Sequence, residues 1–220
     1  MNFTVSEENY IKSIYHLQQE TGIVNTNSLA SEMQTRPASV TDMLKKLKTK
    51  KILQYKRYKG FKLNDTGKKV ALGVVRKHRL WEYFLVDKLG FEWDKVHPIA
   101  EELEHISSDE LIKRLERFLG NPSFDPHGDP IPDSNGKIPV IKQVSLSALQ
   151  VNKHVTVSSV SGQTQQMLEM LNHYHIGIGT KLHVIKRFEF DGSLEIKVVK
   201  KAACIISEQV AKNVFVHYGR

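Results

Sequence analysis

Cysteine is nearly absent from this 220-residue chain. Cys204 stands alone, which excludes an intramolecular disulfide and any zinc site built from several thiolates of one chain. Its setting, Ala202-Ala203-Cys204-Ile205-Ile206, reads as a buried apolar run and not as the surroundings of a reactive thiol. No stretch approaches the ~18 apolar residues that cross a bilayer. The opening Met1-Asn2-Phe3-Thr4-Val5-Ser6-Glu7-Glu8 lacks both the basic and the apolar segment of a secretion signal, so a cytoplasmic location with no membrane partner is expected. Also missing are a His-Glu-x-x-His motif, a phosphate-binding loop and a Gly-x-Ser-x-Gly elbow, which removes the signatures of zinc proteases, nucleotide hydrolases and serine esterases. Neither repeats nor low-complexity tracts occur. Acid is scarce in one segment: from Arg36 to Lys62 ten Lys or Arg face only Asp42, a one-sided charge that suits a phosphate backbone.

What is present divides the chain in three. Residues 1–62 hold eleven Lys or Arg against five Asp or Glu, residues 63–142 hold twelve against fourteen, and residues 143–220 hold nine against five. Such asymmetry points to separate jobs for separate regions. Tyr10, Ile11, Ile14, Tyr15 and Leu17 recur at helical steps behind a cap expected at Ser6. A short helix over about 27–33, a break at Gln34-Thr35-Arg36-Pro37 and a basic helix over about 38–50 outline a helix-turn-helix. Residues 52–58 and 61–63 then alternate like a two-stranded wing around Lys59-Gly60. Three helices are expected between Thr66 and Gly120: one to about Leu89, a second from Asp94 through residue 106, and a third capped at Ser107-Ser108. Residues 121–142 carry five of the seven prolines and read as a loop or linker. Beyond them, four short strands and a helix over about 163–172 suggest a small β-barrel. The expected class is mainly α with small β parts.

The acidic middle region holds the metal-ligand residue types. His97, Glu101, Glu104 and His105 fall at i, i+4, i+7 and i+8, one stripe of a continuous helix, and His78 and Glu82 lie one turn apart on the preceding helix. Carboxylates and imidazoles without thiolates suit hard or borderline divalent ions. Glu102-Leu103-Glu104-His105 also fits the Glu-x-x-His of di-iron carboxylate enzymes, but that chemistry needs a second such motif and the chain has none.

Several segments together resemble the diphtheria toxin repressor family of metal-dependent regulators. They are Asn9-Tyr10-Ile11, Pro37-Ala38-Ser39-Val40-Thr41, Arg76-Lys77-His78-Arg79-Leu80, Val96 to His105, and Pro126-His127-Gly128 followed by Pro130-Ile131-Pro132. The resemblance implies a winged helix-turn-helix DNA-binding domain over residues 1–64, a helical dimerisation and metal-binding domain with a Pro-rich linker over 65–142, and an SH3-like domain over 143–220. It further implies a non-enzymatic repressor of metal-uptake genes that binds double-stranded operator DNA as a homodimer when Mn²⁺ or Fe²⁺ is bound. Zn²⁺ and Co²⁺ are expected to bind in vitro, and no small organic substrate is expected.

Carried over residue by residue, the primary metal site falls on Asn9, Glu101, Glu104 and His105. An ancillary site falls on His78, Glu82 and His97, with Asp125, His127, Gln163 and Gln166 as further candidates. Lys12 departs from the pattern by standing where binuclear manganese regulators place a glutamate. Arg36, Pro37, Ser39 and Thr41 are expected near base edges, and Lys45, Lys46, Lys56, Arg57 and Lys59 on phosphates. A winged-helix regulator not gated by metal is the alternative; metal titration of DNA binding separates the two.

Overall fold

The computed structural model describes residues 2–56 and 59–218. Arg57, an expected phosphate contact, lies outside the described residues. The chain packs as two compact units. One comprises residues 1–78, 102–112 and 132–138; the other comprises 79–101, 113–131 and 139–220.

In the first unit, α1 (Val5–Thr21) is capped by Thr4 and not by the expected Ser6. The Thr4 hydroxyl accepts from the Glu7 N–H while Glu7 returns a bond to the Thr4 N–H, a reciprocal box that Ser6, one residue inside the helix, cannot make. Asn25 caps α2 (Thr26–Glu32) in the same way through Ser28. Pro37 opens α3 (Pro37–Thr49), where a missing N–H costs nothing. β1 (Leu53–Lys56) and β2 (Gly60–Leu63) pair antiparallel as the wing. Ile11, Ile14, Leu29, Val40, Leu47, Ile52 and Phe61 form the core that seats α3 with its basic face outward.

α4 (Asp65–Asp87) is capped by Asn64, whose side chain accepts from the Gly67 N–H, and its residues contribute to both units. α5 (His97–Leu103) is shorter than its sequence pattern suggests. It closes with Ile106 N–H bonding the Leu103 carbonyl, and Ser108 then caps α6 (Asp109–Phe118) through the Leu111 N–H. With Glu104 and His105 in a turn, the ligand helix stops three residues short of the expected residue 106.

The second unit holds a six-stranded antiparallel sheet of the SH3-like kind. Its members are β3 (Val144–Ser145), β4 (Lys153–Val160), β5 (Lys181–Arg187), β6 (Leu194–Val198), β7 (Ala203–Ile206) and β8 (Val214–Tyr218), in the order β3-β8-β4-β5-β6-β7. α7 (Gln165–His173) and α8 (Glu208–Asn213) close its core through Leu168, Leu171, Val210 and Ala211. Cys204 lies on β7, half-buried against this core, and burial pushes its thiol up from the usual value.

Candidate metal centre

The short α5 divides the expected stripe. Glu104 and His105 follow the helix in a turn, so Glu101 no longer shares a face with them. Glu101 belongs to the second unit, half exposed, with Oε1 3.6 Å from His97 Nε2. Glu104 and His105 belong to the first unit. There Glu104 is fully buried; Lys12 Nζ donates to its Oε1 at 2.6 Å and His78 Nδ1 to its Oε2 at 2.6 Å. Burial opposes ionisation of Glu104, but His78 and Lys12 outweigh it and hold the carboxyl below its ordinary value. His105 Nδ1 donates to Glu8 Oε2 at 2.6 Å, and Lys77 Nζ stands 3.9 Å from Glu8 Oε1. Asn9 is half-buried on the same helix. Sequence reasoning picked Asn9 from α1 and missed Glu8 as a partner of His105; the signal was the Glu8–Lys12 spacing of one helical turn.

In the second unit a different constellation forms. Glu82 on α4 is 1% exposed, and one of its oxygens lies 3.2 Å from His97 Nδ1 at the start of α5. Its other oxygen lies 3.5 Å from Nδ1 of His127, which is itself 4.0 Å from Asp125 Oδ1. Glu82, Asp125 and His127 each offer one ligand atom, all within 4.8 Å of one another.

The loop after α6 is built to hold two of these residues. Asp125 Oδ1 accepts from the N–H groups of His127 at 2.8 Å and Asp129 at 3.0 Å, folding the loop around the carboxylate. Gly128 takes φ +83, and a Cβ there would meet the Ser158 carbonyl oxygen at 2.0 Å, so only glycine lets the loop lie against β4. The Val160 N–H donates to the His127 carbonyl at 2.9 Å.

The protonation of His127 follows from its neighbours. Nε2 lies 2.9 Å from the Trp93 carbonyl oxygen, which can only accept, so Nε2 carries the proton. In the neutral ring this leaves Nδ1 as a buried lone pair, making no hydrogen bond among the described residues and facing two carboxylates. The Trp93 indole stacks on the ring, with centroids 5.5 Å apart.

Burial and the neighbouring charges set how these groups hold their protons. Burial first, then Asp129 and Glu82, push Asp125 up to about 7 against the pull of Arg79. Burial works against a charged His127, but Glu82 and Asp125 outweigh it and raise the ring's value. Arg79 Nε lies 3.5 Å from Asp125, and its guanidinium also bonds Asp129 Oδ2 at 3.2 Å and the Pro130 carbonyl. Gln163 donates to Asp129 Oδ2 at 3.1 Å and to the Val160 carbonyl, a supporting position behind Asp125, and Gln166 is exposed on α7. Glu82, Asp125 and His127 therefore fit a divalent cation: they are buried oxygen and imidazole donors brought within reach of one point.

On α3, Arg36, Pro37, Ser39, Thr41, Lys45 and Lys46 are all exposed while Val40, Leu44 and Leu47 face the core. Lys56 and Lys59 are exposed on the wing, and Lys45 shares its charge with Asp42 at 2.9 Å in an exposed pair of little energetic weight. No helix of the described residues is long and apolar enough to cross a membrane.

Three family models match the chain in succession. They are the iron dependent repressor N-terminal DNA binding domain over residues 2–61, the iron dependent repressor metal binding and dimerisation domain over 64–133, and the FeoA domain over 144–218. The iron-dependent repressor IdeR of Mycobacterium bovis is 32% identical over 125 residues, 57% of this chain and 54% of that protein, so the chain spans about half the length of this relative. The diphtheria toxin repressor of Corynebacterium diphtheriae is 26% identical over 192 residues, 82% of this chain and 84% of its own. A solved manganese-dependent transcriptional repressor in complex with manganese is 33% identical and covers 96% of this chain and 98% of its own, with a TM-score of 0.85.

Proposed function

The chain belongs to the iron-dependent repressor family, and on that premise we propose that it represses metal-uptake genes by binding double-stranded operator DNA as a homodimer when a divalent ion fills its metal centre. The observation that carries the reading is His127: its Nε2 proton is committed to the Trp93 carbonyl, and its buried Nδ1 is turned toward Glu82 and Asp125. Glu82, Asp125 and His127 would hold the ion, with His97 on the second oxygen of Glu82. A bound cation would supply positive charge between these carboxylates. Arg79, Asp129 and Gln163 orient Asp125 from behind and set how firmly it is presented.

Two carboxylates and imidazole without a thiolate favour Mn²⁺ or Fe²⁺ by hardness, with Zn²⁺ and Co²⁺ able to enter in vitro. A manganese-bound structural relative supports the same choice. On the nucleic-acid side, Ser39 and Thr41 near the start of α3 are the residues for base edges, and Lys45, Lys46, Lys56 and Lys59 those for phosphates. The relatives named above are repressors.

The test is an anaerobic mobility shift on the DNA upstream of the chain's own gene, with chelator, Mn²⁺ or Fe²⁺. Binding is expected with either ion and lost in chelator. Equal affinity with and without metal would overturn the gating.

A further inference from the structure

The Glu104 cluster contains the residue types of a metal site, yet both oxygens of Glu104 are taken by proton donors of the protein and His105 is turned onto Glu8. Lys12 Nζ and His78 Nδ1 occupy the two oxygens of Glu104 at 2.6 Å each, and Glu8 engages His105 Nδ1 at 2.6 Å. Lys12 is 14% exposed and Glu104 not at all, so solvent screens this pair weakly. Built-in cations also face both carboxylates: Lys12 lies on Glu104, and Lys77 Nζ stands 3.9 Å from Glu8. Two ties thereby join α1 to residues 104–105 without any ion.

We propose that Lys12 is the resident cation of this cluster, an ionic lock that fastens α1 to the turn after α5 in place of a divalent metal, so that the first unit closes without an ion. The bound ion of the proposed function then belongs to the Glu82, Asp125 and His127 centre alone. The inference rests on that reading only for where metal does bind, and its test counts ions instead of measuring repression.

The experiment is Mn²⁺ binding at equilibrium on the full chain, by dialysis and metal analysis, with folding followed by circular dichroism. Wild type and Lys12→Arg are expected to hold one equivalent per chain, and Glu104→Gln the same. Lys12→Glu removes the lock and adds a carboxylate, and should hold a second equivalent. In a His127→Ala background the counts should fall to none with Lys12 present and to one with Lys12→Glu. A second ion in wild type that disappears in Glu104→Gln would overturn the lock, as would a folded Lys12→Glu chain that gains none. If Lys12→Glu does not fold, the unchanged or reduced count in Glu104→Gln still decides. Retention of the ion in His127→Ala would overturn the proposed centre, while the gain on Lys12→Glu would still judge the lock.

Discussion

The two clusters of carboxylates and imidazoles use the same residue types to opposite effect. Around Glu104 the cations are already present, in Lys12 and Lys77, and the buried carboxyl is easy to ionise. Around His127, Glu82, Asp125 and Asp129 crowd together, Arg79 reaches Asp125 and Asp129, and the buried Asp125 is hard to ionise. Ligand-type residues at ligand spacing do not by themselves define a metal site; the local charge balance decides whether a buried carboxylate calls for an ion or has its counter-charge built in.

The comparison breaks most visibly at His127. His127→Ala removes a ligand outright, so Mn²⁺ affinity should fall by more than the ~10–100-fold typical of losing an outer-shell partner, and operator binding should lose its metal dependence; metal-buffered titration checks both. Glu104→Gln should leave Mn²⁺ affinity within a few-fold of wild type.

A second expectation sharpens the electrostatic contrast. Asp125, pushed up to about 7 chiefly by burial, is protonated in the folded metal-free state at pH values where the unfolded chain, titrating near 3.8, has released its proton. Its effect on stability is therefore nil below about pH 4, grows unfavourable as pH rises, and is complete above about pH 7, on the order of a few kcal/mol. The raised value of His127 acts in the same direction, since its favourable share is lost as pH rises through that value. Urea melts at pH 5 and pH 8 should show the metal-free protein weaker at pH 8. Asp125→Asn should flatten the trend, and Mn²⁺ should abolish it.

Gly128→Ala is next in size. The added Cβ meets the Ser158 carbonyl at 2.0 Å in a backbone with φ +83, so ~2 kcal/mol or more of stability should be lost, with Mn²⁺ affinity falling alongside it. The smallest effect belongs to the wing. Lys56→Ala should weaken binding to all DNA sequences alike and reduce the salt slope by about 0.9, without altering the Mn²⁺ response.

The winged helix, its basic face and the helical middle region were legible in the sequence because their signals are local: apolar steps of three and four, Pro37 at a helix start and a run without acid. The C-terminal sheet was legible less fully. β7 hides in the short apolar run at Cys204, and β3 is two residues long. The centre itself was only half legible. Glu82, His97, Asp125 and His127 were all named for one ancillary site; what the sequence hid was the separation of Glu101 from Glu104 and His105, because it depends on where α5 stops. An unbroken helix would have aligned Glu101 with Glu104 and His105; the cap at Ser108 ended it instead. The Trp93 carbonyl that orders His127 is a backbone group, invisible to any reading of side-chain motifs.

The indole stacked on His127 gives the protein an optical consequence. The chain has two tryptophans, and Trp81 is buried on α4, whereas Trp93 lies ring to ring with an imidazole whose charge depends on what occupies its other face. A protonated imidazole draws excited-state electron density from a neighbouring indole; a ring engaged by an open-shell ion such as Mn²⁺ would quench it by a different route. If the proposed centre fills, the emission of Trp93 should change with it, readable during a titration without labels, dyes or DNA.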